Sequence, residues 1–193
     1  MSVISPRMQG DVLVVTADNP PVNALSQAMR AGLLSGLRRA EADAEVQEVV
    51  LIGRGRSFPT GADVGDLDRP EAAPTLATLC DAVEAAAKPV VAAVHGLSLG
   101  GGFELTLAAH YRVAHAAAQV GFPEARLGLA PHGGGSQRAP RLAGAGASLQ
   151  GRRAAACEAR RGSARRRAGR HNAGRDEPGR VYYTRLSFSF SGT

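Results

Sequence analysis

The chain has 193 residues, enough for one domain with a real core. Its formal net charge of +6 conceals two regions: residues 1–150 carry twelve basic against fourteen acidic side chains, while residues 151–193 carry eleven arginines against three acids. The two cysteines, Cys80 and Cys157, have neither metal-ligand spacing nor a disulfide framework, the first residues lack an apolar leader core, and no run reaches the ~18 apolar residues of a membrane span, so a cytoplasmic protein without a metal site is expected.

Asp11–Asp18 (DVLVVTAD) is predicted as a strand ended by the turn signal NPP. Ser26 suits the N-cap of a helix over Gln27–Asp43, where Met29, Leu33, Leu34 and Leu37 recur at helical spacing. Val46–Gly55 (VQEVVLIGRG) reads as a buried strand running into the loop SFPTGADVGDLD. Ala72–Ala87 is predicted helical, and Lys88–Gly96 (KPVVAAVHG) is another buried strand with a proline near its start. The triplet Gly100–Gly102 then opens a helix ending near Ala109. YRVAHAAAQVGF reads as one strand or two short ones, and PEARLGLAPHGGGSQRAPRLAG as a loop leading into a short helix. Apolar strands alternating with helices imply an α/β fold with mostly buried strands.

The composition changes after Gln150. Between Gly151 and Arg180 there is no Leu, Ile, Val, Met or Phe, and ten of the thirty residues are Arg. Such a stretch cannot bury enough apolar surface to offset its ordering entropy, so residues 150–193 are expected to be a disordered tail beside a core of residues 1–149. An arginine block attracts polyanions. Without aromatic interleaving before Tyr182 or a nucleic-acid motif, it implies no specific nucleic-acid partner.

Three loops could carry chemistry. Glycines at the mouth of a helix expose its unpaired N–H groups, and Glu104 lies three residues beyond Gly101 on the same side of the first turn. An acid there also simply favours the helix. The loop FPTGAD (Phe58–Asp63) follows a buried strand, where α/β folds place ligand contacts, and could offer a second backbone donor. Glu124 stands in the apolar, glycine-flanked stretch GFPEARLGLAPHGGG, where burial would suit a carboxylate to acid–base work. The histidines show no ligand spacing. Together, two carboxylates and two loop N–H groups could form an oxyanion hole beside an acid–base pair.

Four segments in this order resemble the crotonase (enoyl-CoA hydratase/isomerase) superfamily: NPPVNALS, GRGRSFPTGADV, KPVVAAVHGLSLGGGFELTLAAHYRV and GFPEARLGLAPHGGGSQRAPRLAG, covering residues 10–148. NPPVNALS and HYRVA look most like the hydratase half of multifunctional β-oxidation enzymes, where this domain precedes a 3-hydroxyacyl-CoA dehydrogenase. The resemblance implies a crotonase-like (ClpP/crotonase) spiral of ββα units, here lacking the family's C-terminal helices. It implies hydration of a trans-2-enoyl-CoA by Glu104 and Glu124, with the thioester oxygen held by the backbone N–H groups of Thr60 and Gly101. Thr60, Gly61, Ala62 and Asp63 would line the CoA side together with Gly101. No cofactor is implied, since acyl-CoA is the substrate. The alternatives are a Δ3-Δ2-enoyl-CoA isomerase, which typically keeps only the second glutamate, or an inactive fragment. The family's trimer or hexamer, or a fused dehydrogenase, is expected to be lost with the tail, a sequence of the kind a reading-frame shift in a GC-rich gene would produce. His132 stands where the family expects a glycine, and Arg138 and Arg141 are expected to make structural or surface contacts.

Overall fold

The computed structural model describes residues 3–61, 72–124 and 128–144, and the backbone of Cys157–Glu158. The elements in chain order are β1 (Ile4–Gln9), β2 (Val12–Ala17), α1 (Gln27–Ala42), β3 (Glu48–Gly53), α2 (Leu76–Glu84), β4 (Val90–Val94), β5 (Leu97–Leu99), α3 (Gly101–Ala108), β6 (Tyr111–Ala114), β7 (Gln119–Gly121), α4 (Gly135–Ala143) and β8 (Cys157–Glu158).

One sheet has the order β1-β2-β3-β4-β6, antiparallel between β1 and β2 and parallel elsewhere. The parallel strands are joined through helices, as parallel pairing requires. The second sheet has the order β5-β7-β8. Two strands and then a helix recur in β4-β5-α3 and again in β6-β7-α4, each pair sending one strand to each sheet. This is the α/β spiral of ββα units that the sequence resemblance implies.

Alternate residues of β2 and β3 are buried, and β4 is buried along nearly all of its length. Leu13, Val15, Val49 and Leu51 meet Met29, Leu33 and Leu37 of α1 in one core, to which α2 adds Leu79 and Val83. Ser26 caps α1 as expected, its hydroxyl accepting the Met29 N–H at 3.3 Å. At the other end of α1, Lys88 Nζ donates to the carbonyls of Ala40 at 2.7 Å and Asp43 at 2.6 Å, closing the helix with a cation.

The differences from the sequence reading have local causes. β1 was not expected, because Pro6 and five residues outside the core blur its pattern. It sits at the sheet edge, where a proline removes no needed ladder bond. Gly10, at φ +64°, makes the two-residue turn into β2. α2 begins at Leu76 rather than Ala72, because the Thr75 hydroxyl accepts the Thr78 N–H at 3.1 Å and starts the helix there. The chain beyond Gly96 forms a separate strand, β5, before the glycine triplet. The expected disordered tail lies outside the described residues except at Cys157–Glu158. There a short strand pairs antiparallel with β7, whose edge offers unpaired backbone groups.

Candidate active site

The glycine triplet serves three separate purposes. Gly100 is the N-cap of α3 and has φ +52°, a conformation that L side chains rarely adopt. A Cβ at Gly102 would collide with the Pro59 carbonyl, so α3 lies flush against the loop that carries Thr60. Gly101 faces Leu76 and Leu25, and its N–H makes no hydrogen bond among the described residues. The first N–H groups of a helix have no intrahelical partner, which accounts for the unpaired N–H of Gly101. α3 is buried along its whole length.

Glu104 is completely buried on the first turn of α3. Its Oε1 accepts the Gly135 N–H at 2.7 Å, whereas its Oε2 has no hydrogen-bond partner among the described residues. A Cβ built on Gly133 would stand 3.0 Å from that Oε2, and one on Gly135 would stand 2.9 Å from Glu104 Cγ. The Gly133–Gly135 turn therefore runs along the length of the Glu104 side chain. Glu124 approaches from β7. Gly100 N–H donates to the Gly121 carbonyl at 2.9 Å, fixing the end of β7 beside the triplet. Three residues on, the Glu124 carboxyl lies against Gly100, with Oε2 at 3.2 Å from a Cβ built there. Both glutamates thus border the N-terminus of α3.

Thr60 needs correction as a donor. Its N–H points at the Asn23 carbonyl, 3.3 Å away, in a parallel bridge between residues 24 and 60. Its hydroxyl donates to the Val22 carbonyl at 2.8 Å. The next residue, Gly61, accepts the Leu25 N–H at 3.0 Å through its carbonyl, while its own N–H makes no hydrogen bond among the described residues. Ala62 and Asp63 lie outside the described residues.

Two contributors went unrecognised in the sequence. Asn23, at φ +54° and buried, donates from Nδ2 to the carbonyls of Arg54 at 2.9 Å and Ser57 at 2.8 Å. It holds the start of the 54–61 loop while its own carbonyl takes Thr60. The asparagine stands inside NPPVNALS, and tolerance of positive φ is the one signal that could have singled it out. Arg30 donates to three carbonyls, Pro74 at 2.7 Å, Leu25 at 2.6 Å and Ala72 at 2.9 Å. Arg138 makes structural contacts, as expected, but a buried set of them. It donates to Asp81, Glu84 and the Gly133 carbonyl. Burial works against its charge, yet the hydrogen bonds it donates to Glu84 and Asp81 outweigh that and raise its pKa. Cys80 lies behind Glu104. Burial, reinforced by the Glu104 carboxylate, pushes its thiol up to about 12.

Among the described residues, no group of three or more His, Cys, Asp or Glu side chains could hold a metal ion, and no helix is long and apolar enough to cross a membrane. Residues 7–162 match the family described as enoyl-CoA hydratase/isomerase. The chain belongs to this family. It is 49% identical over 139 residues to a peroxisomal bifunctional enzyme of Danio rerio, covering 72% of this chain and 19% of that protein. It is 40% identical to a probable enoyl-CoA hydratase of Bacillus subtilis, covering 78% of this chain and 61% of the relative. An enoyl-CoA hydratase structure from Bacillus anthracis superposes with a TM-score of 0.73 at 33% identity, covering 77% of this chain and 61% of that one. The chain therefore spans about a fifth of its bifunctional relative and about three fifths of the two hydratases. As a member of the enoyl-CoA hydratase/isomerase family, it brings both candidate glutamates and the Gly101 donor to one helix N-terminus.

Proposed function

We propose that the protein hydrates trans-2-enoyl-CoA thioesters. The observation that carries this reading is Glu104: a fully buried carboxylate with one oxygen held by a backbone N–H and the other without a protein partner among the described residues. An unpartnered buried oxygen costs stability and is retained where a bound molecule completes it. Beside it, the Gly101 N–H, without a hydrogen bond among the described residues and at a positive helix end, is suited to a thioester oxygen that gains negative charge. Thr60 being engaged, we assign the second donor to the stretch that begins at Gly61. Water held and activated by Glu104 and Glu124 forms a C–O bond at the β-carbon. The proton lost by that water is balanced by one delivered to the α-carbon, giving 3-hydroxyacyl-CoA. The reaction needs no cofactor. A pair of glutamates at one helix end favours hydration over isomerisation, for which a single acid–base group suffices. Relatives named for the peroxisome stand beside a bacterial one, so the family does not itself fix a compartment.

The test is turnover of crotonyl-CoA by the purified chain, followed as loss of the conjugated enoyl thioester absorbance. Glu124→Gln and Glu104→Gln are each expected to lower kcat by about 10²–10⁴-fold, the range of general acid–base groups, with an unchanged circular dichroism spectrum. A folded parent chain that leaves crotonyl-CoA unhydrated would rule the reading out.

A further inference from the structure

We infer that Arg138 is a positioning residue for Glu104, acting through the Gly133–Gly135 turn. The guanidinium is buried, with only 6% of the residue exposed, and every one of its nitrogens is engaged. On one side Nε donates to Glu84 Oε2 at 3.0 Å, and Nη2 donates to the same oxygen and to Asp81 Oδ1, both at 2.7 Å. On the other side Nη1 donates to the Gly133 carbonyl at 2.7 Å. Between these two anchors Nη1 lies across Gly134, where a Cβ would collide with it. Gly134 is the N-cap of α4, with φ +92°.

The turn has few other means of holding its shape. Its three glycines carry no side chains, and no side chain caps α4. Yet this turn fixes Glu104. Gly135 supplies the N–H on Oε1, Gly133 stands against Oε2, and Gly135 packs against Cγ. A planar, forked cation is suited to the task, because it joins two carboxylates and a carbonyl in one fixed geometry. The chain of contacts runs from Asp81 and Glu84 on α2, through Arg138, to the turn and then to the carboxylate on α3. A mere staple between α2 and α4 would need only the two acids. The bond from Nη1 to the Gly133 carbonyl directs the same side chain to the turn that meets Glu104.

The inference rests on the hydration reading for its catalytic consequence, but its structural core is tested without turnover. The chain is labelled with ¹³C at glutamate carboxyl carbons, and the Glu104 resonance is assigned by its loss in Glu104→Gln. In Arg138→Gln this resonance is expected to move and broaden, with circular dichroism retained. Arg138→Lys, which keeps the charge but not the fork, is expected to restore the position and width of the resonance only in part. An unmoved Glu104 resonance in folded Arg138→Gln overturns the inference. If that variant fails to fold, Asp81→Asn and Glu84→Gln remove the exposed anchors and are expected to move the same resonance, and an unchanged resonance in both overturns the inference equally. With crotonyl-CoA, kcat of Arg138→Gln is expected to fall about tenfold while KM stays within twofold, as for a lost transition-state contact. A parent chain without turnover overturns the hydration reading and leaves the resonance to decide the role of Arg138.

Discussion

Gly101 and Gly102 are neighbours on α3, yet they answer to different surroundings. A Cβ at Gly101 would meet the Leu76 and Leu25 methyl groups at 2.7 and 3.4 Å, and such flexible ends can give way. A Cβ at Gly102 would meet the Pro59 backbone, which cannot move without separating α3 from the 58–61 loop. Gly102→Ala is therefore expected to lower stability by about 2–3 kcal/mol and Gly101→Ala by about 1 kcal/mol, read from urea midpoints. Equal losses would show that the close approach to Pro59 does not govern the triplet. Sequence spacing put Glu104 and Gly101 on the first turn of one helix, as α3 has them, because one helical turn fixes their relation. It could not place the Thr60 N–H. That group's direction depends on Asn23, 37 positions earlier, and no local pattern encodes a bridge between two loops.

Elements with a strong period were legible in the sequence, and those defined by tertiary contacts were not. The apolar repeat of α1 and the apolar runs of β3 and β4 appear where expected, because burial on one face writes itself into composition. β1, with a proline and only Ile4 buried, carries no such record. Nor does the joint between α1 and the segment before α2. There Arg30 leaves the helix to bind the carbonyls of Leu25, Ala72 and Pro74, while Gln27 binds Ala73 at 2.9 Å. These contacts hold the strand-like lead into Thr75 and Leu76, and so fix where α2 starts. Arg30→Met keeps much of the stem but leaves three carbonyls without their donor. The expected loss is about 3 kcal/mol with an unchanged urea m-value, since hydrogen bonds to a charged group are stronger than neutral ones. A loss below about 1 kcal/mol would mean that water replaces the guanidinium and that other contacts set the start of α2.

For the molecule as a whole, Cys80 reports how tightly α2, α3 and α4 close. The thiol is fully buried and titrates at about 12 rather than its ordinary 9.0, chiefly through burial and next through the Glu104 carboxylate. Asp81 and Glu84 push in the same direction, and Arg138 opposes them. Below pH 9 the thiol is protonated in both folded and unfolded chains and contributes nothing to the pH dependence. Between pH 9 and about 12 the unfolded chain releases this proton while the folded chain keeps it. The unfolded state then binds fewer protons, so stability falls as pH rises, by up to about 1.4 kcal/mol per pH unit from this group alone. Phenols and amines as a class ionise in the alkaline range, so the informative quantity is the difference from a chain in which the thiol is absent. In a Cys157→Ser background, Cys80→Ala is expected to be less stable at pH 7 through the cavity it leaves, and to close that gap as pH rises above 9. A gap that stays constant from pH 8 to pH 10.5, measured by urea denaturation, would mean that Cys80 meets water in the folded chain and that the three helices do not seal the back of the Glu104 site.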